Sequence, residues 1–237
     1  MSVVWHDLEC GAYVEDLPVW RALAASCGDP VLEVGAGTGR VTIELARAGH
    51  SVTALDSDEQ LLRELAERAH GLDVATVVAD ARSFALGRRF ALCIVPMQTI
   101  QLLGGTEGRT AFLRCAREHL LDRGAIAIAL ADQLDLFEVT PGGPSPLPDI
   151  CEIDGVVYSS RPTAVRAEGD GFELERERQV VTSSGQVSAQ IDRIHLDRLG
   201  VEQLEREAAT AGLSPRGLTQ IPATEEHVGT EVVMLGA

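Results

Sequence analysis

The segment Val31-Leu-Glu-Val-Gly-Ala-Gly-Thr-Gly39 holds the residues best arranged to cradle a ligand. An apolar run leads into alternating glycines, and a helical pattern follows. Glycine lets the backbone turn tightly and lets a ligand approach where a Cβ would clash. The N–H groups and dipole of the following helix favour negative groups beside them. Dinucleotide-binding enzymes use a similar turn, and spacing separates the two. Their GxGxxG fingerprint needs a glycine at position 40, which here is Arg40. This chain instead has Gly35, Gly37 and Gly39, with Glu33 two residues before the first.

Two carboxylates follow in register. Asp56 ends the second strand pattern, 21 residues after Gly35, where it can accept from both hydroxyls of a ribose. Asp80 follows the third strand, in Val77-Val-Ala-Asp-Ala81, where it can accept from an adenine amino group. Open α/β sheets bind ligands at the carboxyl ends of their strands, which is where all three features fall.

The elements that position them alternate between strand and helix patterns, which predicts an α/β fold with a doubly wound, Rossmann-like parallel sheet. An amphipathic opening (14–25) leads through Gly28-Asp-Pro30 to strand 31–34 and helix 38–48, which Gly49 stops. Strand 51–55 precedes Ser57-x-x-Gln60, which reads as a capping box for the next helix. Strands at 73–78 and 90–96, a helix over 107–121 and a strand over 125–131 complete the first part. A proline-rich loop (140–148) opens a β-rich stretch with strands at 151–159, 162–167, 172–182 and 187–196. Helix 201–211 and strands 215–221 and 229–235 close the chain. The expected domains are a core over 1–131 and 200–237, and a β-rich cap over 132–199.

On Glu33, the glycines, Asp56 and Asp80, the chain resembles class I S-adenosylmethionine (SAM) dependent methyltransferases over roughly residues 10–131 and 200–237. The resemblance implies a seven-stranded sheet with the last strand antiparallel, carrying an antiparallel β cap after strand five. It implies SAM as cofactor and S-adenosylhomocysteine as product. The methionine portion then falls to Glu33, Gly35, Ala36, Gly37 and Gly39, the ribose to Asp56 with Ser57, and the adenine to Asp80 and Ala81. Pro96, Met97 and Gln101 would stand beside the sulfonium, and Tyr13 in an aromatic lid with Trp5 and His6. Leu121-Asp-Arg-Gly124 resembles the family's turn before strand five, with Arg123 and Ala125 as departures. Phe90-Ala91 departs from the common Phe-Asp, at no cost to cofactor contacts. The cap is similar to that of glycine/sarcosine and amino-sugar N-methyltransferases.

The resemblance implies methyl transfer to a small-molecule nitrogen or oxygen. Trp5, Gln98, Asp132, Gln133 and Glu225 are the expected acceptor-side residues. His6, His195 and the Glu225-Glu226-His227 run supply candidate bases. Two other readings remain: a SAM-binding protein without methyl transfer, and an NAD(P)-dependent oxidoreductase, against which the missing third glycine counts.

The bulk properties agree. The 237 residues are 45% hydrophobic and 24% charged, ordinary for a chain with a buried core. The formal charge of −16 weighs against nucleic acid and anionic membrane as partners. The five dispersed cysteines lack CxxC spacing, which argues against a disulfide framework and a zinc site. With no basic, apolar leader at the N-terminus, a cytoplasmic location is expected. A homodimer through the cap is a further expectation.

Overall fold

Two helices, α1 (Val3–Cys10) and α2 (Leu17–Cys27), precede the glycine segment. Then come β1 (Val31–Val34), α3 (Arg40–Arg47), β2 (Val52–Asp56), α4 (Glu59–Arg68), β3 (Val74–Val78) and β4 (Phe90–Val95). A 3-10 turn (Thr99–Leu102), α5 (Gly105–Glu118) and β5 (Leu120–Leu130) follow. The later strands are β6 (Phe137–Glu138), β7 (Asp149–Ile153), β8 (Val156–Glu168), β9 (Gly171–Val181) and β10 (Val187–Asp197). The chain closes with α6 (Val201–Thr210), β11 (Ser214–Ile221) and β12 (Thr230–Gly236). This computed structural model describes residues 3–131, 134–140, 142–224 and 227–237.

Among the described residues, seven strands form one sheet in the order β11-β12-β5-β4-β1-β2-β3. β1 runs parallel to β2 and β4, β2 to β3, and β4 to β5. β12 is antiparallel to both its neighbours. This is the expected seven-stranded, doubly wound sheet with the last strand reversed. Strand order switches direction between β1 and β4, and their carboxyl ends border the crevice that such sheets offer to ligands.

β5 shows why helices cover both faces. Ile126, Ile128 and Leu130 pack with Phe112, Leu113 and Ala116 of α5 and Leu204 and Ala208 of α6. Ala125, Ala127 and Ala129, one residue out of phase, share the opposite layer with Trp20 of α2 and with Val41 and Leu45 of α3. Alternation sends successive side chains to opposite faces. The alanine stripe leaves room for the fully buried Trp20 indole. On the α5 side, buried Arg109 forks onto buried Glu207 of α6, with Nε to Oε2 at 2.8 Å and Nη2 to Oε1 at 2.7 Å.

Local expectations needed correction at three points. The cap of α4 is Asp58, whose Oδ1 accepts from the backbone N–H groups of Gln60 and Leu61, so Ser57 does not fill that role. The strands expected at 151–159 and 162–167 are divided differently. The turn falls at Asp154-Gly155, where φ is 50° and 75°, and β8 runs on through Pro162 with a register shift. The first residues form a helix, α1, where only an aromatic segment was expected.

The chain divides into two compact units, Tyr13–Gln133 with Leu199–Ala237 and Ser2–Ala12 with Leu134–Arg198. The second unit is an antiparallel sheet in the order β10-β9-β8-β6, with β7 also paired to β8. The expected divisions at 131/132 and 199/200 lie beside these boundaries, but α1 groups with the second unit. The side chains explain why. Glu9 takes two hydrogen bonds from Arg178, both at 2.8 Å, and one from Ser160 at 2.7 Å. Trp5 meets the Tyr158 ring edge-on at 5.5 Å between centroids, with the Arg178 guanidinium 5.4 Å from its own centroid.

Candidate functional site

The glycine turn is fixed by two demands that only glycine meets. Gly35, Gly37 and Gly39 have φ of 75°, 54° and 94°, in the left-handed region that side chains disfavour. A Cβ on Gly35 would lie 2.5 Å from Thr99 Cγ2, and one on Gly39 would collide with Leu65 Cδ1. Gly35 therefore lets the turn after β1 close onto the turn after β4, across the point where strand order reverses. The backbone N–H groups of Gly35 and Ala36 both donate to the Leu55 carbonyl, at 2.8 and 3.1 Å.

Asp56, at the end of β2, reaches this turn. Its Oδ2 accepts from the Gly37 N–H at 2.8 Å and its Oδ1 from the Asp58 N–H at 2.9 Å. Each carboxylate oxygen retains a second lone pair, so the group can still accept from two hydroxyls. The following Ser57 is exposed. Beneath the turn, Glu33 is buried and accepts from the Thr42 hydroxyl. Burial pushes its pKa up to about 8, against the opposing effects of the Thr42 bond and the Arg40 charge.

Asp80 stands exposed after β3, and Arg82 grips it. Arg82 Nη2 lies 2.6 Å from Oδ2, and its backbone N–H donates to Oδ1 at 2.8 Å. Its bond to the Arg82 side chain, above all, holds the carboxyl at about 2. Ala81, between them, is half-buried.

The segment after β4 is held in an unusual backbone state. Pro96 is buried, and Met97 has φ of 55°, uncommon for a residue with a side chain. Such conformations cluster at ligand sites. Thr99 Oγ1 donates to the Pro96 carbonyl at 2.9 Å, and Gln98 accepts from the Gln101 N–H through its own carbonyl at 2.9 Å. The buried Gln101 amide closes a two-bond ring with the backbone of Ala131, each bond 3.0 Å. Gln101 thereby pins this segment to the end of β5.

Arg40 and Asp16, which sequence reasoning passed over, are joined to Tyr13. Arg40, the first residue of α3, forks onto buried Asp16 at 2.5 and 2.8 Å and donates to the Tyr13 carbonyl at 2.7 Å. Its guanidinium lies 5.1 Å from the Tyr13 ring centroid. Asp16 also accepts from Trp20 Nε1 at 2.8 Å, which ties the pair to the core beneath. The buried Tyr13 ring contacts that of His227 at 4.8 Å between centroids. The only sequence signal for Arg40 was that it stood where the dinucleotide pattern has glycine.

Trp5, His6 and His195 belong to the second unit. Trp5 is buried against Tyr158 and Arg178, His6 lies 3.9 Å from Asp7, and His195 on β10 lies 3.5 Å from Glu168. Asp132, Gln133 and Glu225 lie outside the described residues. Among those described, no group of three or more His, Cys, Asp or Glu gathers to hold a metal ion. No described helix is long and apolar enough to cross a membrane.

Residues 31–124 match the methyltransferase domain family. The chain is 43% identical over 76 residues to ribosomal RNA small subunit methyltransferase A of Deinococcus radiodurans, covering 30% of this chain and 26% of that one. It thus spans about a quarter of that curated relative's length. Solved structures match over nearly the whole chain. A sugar N-methyltransferase from a Streptoalloteichus species superposes with TM-score 0.75 at 19% identity, covering 98% of this chain and 92% of that one. An amino pentose methyltransferase from Micromonospora echinaspora, with SAM bound, gives TM-score 0.73 at 18% identity, covering 99% and 97%. At these identities the likeness concerns the fold.

Proposed function

We propose a reaction for a chain that carries a class I SAM-dependent methyltransferase domain: it transfers the methyl group of SAM to a nucleophile on a small polar molecule, most simply the amine of an amino sugar. The observation that carries this reading is the Gly37–Asp56 hydrogen bond, beside a Gly35 turn that a Cβ would fill at the strand-order switch. These residues fit the cofactor: the glycines leave room for its amino-acid end, and Asp56 keeps lone pairs for a ribose diol. When bound, SAM supplies an electrophilic methyl on a sulfonium leaving group.

The chain's own part is binding, alignment and exclusion of water. Glu33, Gly35, Ala36, Gly37 and Gly39 line the methionine end, Asp56 and Ser57 the ribose, and Asp80 with Ala81 the adenine. Pro96, Met97, Gln101 and Tyr13 complete the cofactor set. Trp5, Gln98, Asp132, Gln133 and Glu225 are assigned to the acceptor side. We assign the protein to the cytoplasm and the β-rich unit to homodimer formation.

A ribosomal RNA substrate is the competing reading, favoured by the similarity within 76 residues. The formal charge of −16 opposes it, because a polyanion is held by a basic footprint. The test is S-adenosylhomocysteine release from SAM with amino sugars, amino acids, phenols and RNA supplied separately. Release dependent on an amine supports the proposal. Release with RNA alone overturns it.

A further inference from the structure

We propose that His227 accepts the proton of the incoming ammonium group, with Glu15 orienting its ring and Tyr13 forming the wall beside it. This rests on the amine reading above and names the base of that same site. His227 Nδ1 is a buried atom without a hydrogen-bond partner, and its ring lies 4.8 Å from that of Tyr13. A buried polar atom left unpaired costs about 1–3 kcal/mol, so Nδ1 calls for an acceptor, and the Glu15 carboxylate is the one at hand. Burial raises the pKa of the Tyr13 hydroxyl, which leaves it protonated at neutral pH.

Topology puts this pair at the cofactor edge. β12 begins at Thr230, and Glu231 pairs with Leu130 at the carboxyl end of β5. His227, three residues before the strand, therefore leaves the sheet on the edge that carries the glycine turn. Tyr13 connects the two, since Arg40, next to Gly39, holds its carbonyl and lies over its ring. His6 and His195, the other two candidates, have their ion-pair neighbours in the second unit.

The charges suit the task. Glu15 Oε2 lies 3.8 Å from His227 Nδ1, a separation that shortens once a ligand orders the site. Arg40 and Asp16 stand behind Tyr13 and neutralise each other. With Nδ1–H turned to Glu15, Nε2 takes a proton from R–NH3+ and leaves R–NH2 with a free lone pair. That pair forms the N–CH3 bond as the C–S bond breaks and leaves its electrons on sulfur. The imidazolium gives its proton to water, and the product leaves as R–NH2+–CH3.

Sinefungin, in which an amine-bearing carbon replaces the methylsulfonium, tests this without knowledge of the acceptor. Calorimetric titrations at pH 8 compare sinefungin and S-adenosylhomocysteine on wild type, His227→Phe and His227→Asn. The proposal expects His227→Phe to lose about tenfold in sinefungin affinity, the scale of one charge-assisted hydrogen bond, with S-adenosylhomocysteine affinity held within about twofold. His227→Asn reads the same difference should the phenylalanine variant fail to fold. Equal loss of both ligands, or loss of neither, overturns the role of His227. If wild type binds neither ligand, the SAM reading itself fails and takes the inference with it.

Discussion

The backbone N–H of Gly37 donates to Oδ2 of Asp56 at 2.8 Å, joining the turn after β1 to the end of β2. One carboxylate thus shapes the turn, and the proposed function makes it the ribose ligand as well. Asp56→Ala is expected to weaken SAM binding about 100-fold, the scale of two hydrogen bonds to a charged acceptor. The fold survives, because the lost cap-like bonds cost about 1 kcal/mol. Calorimetry measures the affinity and circular dichroism the fold. Wild-type affinity in this variant contradicts the ribose assignment.

Gly35 and Thr99 are coupled by close approach. Gly35→Ala introduces a Cβ 2.5 Å from Thr99 Cγ2 and places a side chain at φ 75°. It should destabilise the chain by about 2–4 kcal/mol, combining overpacking with left-handed strain. Adding Thr99→Ala removes the collision and leaves the strain, so the double variant recovers part of the loss. Denaturant unfolding of the two single variants and the double gives the coupling; strict additivity would rule out the contact.

Arg109 and Glu207 form a buried ion pair between α5 and α6. Arg109→Ala strands the Glu207 carboxylate and is expected to cost about 3–5 kcal/mol. For a chain of this size that lowers Tm by roughly 6–20 °C. Replacing both residues with leucine should restore much of the loss. A double variant no more stable than Arg109→Ala would show that the pair's burial is not the cause.

Glu33 makes stability depend on pH. Its pKa is raised from 4.5 to about 8, so between these values the folded chain keeps a proton that the unfolded chain has released. Stability contributed by this group is therefore full below about pH 4.5 and lost as pH rises toward 8. Glu33→Gln keeps the shape without the titration. Denaturation series at several pH values should find the variant increasingly more stable than wild type toward pH 8. Parallel curves would mean that Glu33 is already ionised in the fold.

The sheet was legible because its strands are short apolar runs bounded by glycine and aspartate. The glycine turn and Asp56 also lie close together in sequence. Ser57 reads as the cap because Asp58, one residue later, offers the same capping chemistry with a carboxylate. The turn at Asp154-Gly155 falls inside the run 151–159 that reads as one strand, and β8 carries Pro162 past a bulge. Arg40 with Asp16, and Tyr13 with His227, join residues separated by 24 and 214 positions, and no periodicity reports such contacts. The grouping of α1 with the second unit is of the same kind: Glu9 meets Arg178 across 169 residues.

Thermal unfolding with SAM, S-adenosylhomocysteine, NAD or NADPH, each added alone, tests the central claim most directly. A ligand at about 100 times its Kd adds roughly 2.7 kcal/mol. The account expects Tm to rise by about 5–10 °C with the SAM pair and to stay unchanged with the nicotinamide cofactors. A rise with NAD or NADPH alone would contradict it, and the glycine turn would then belong to a dehydrogenase.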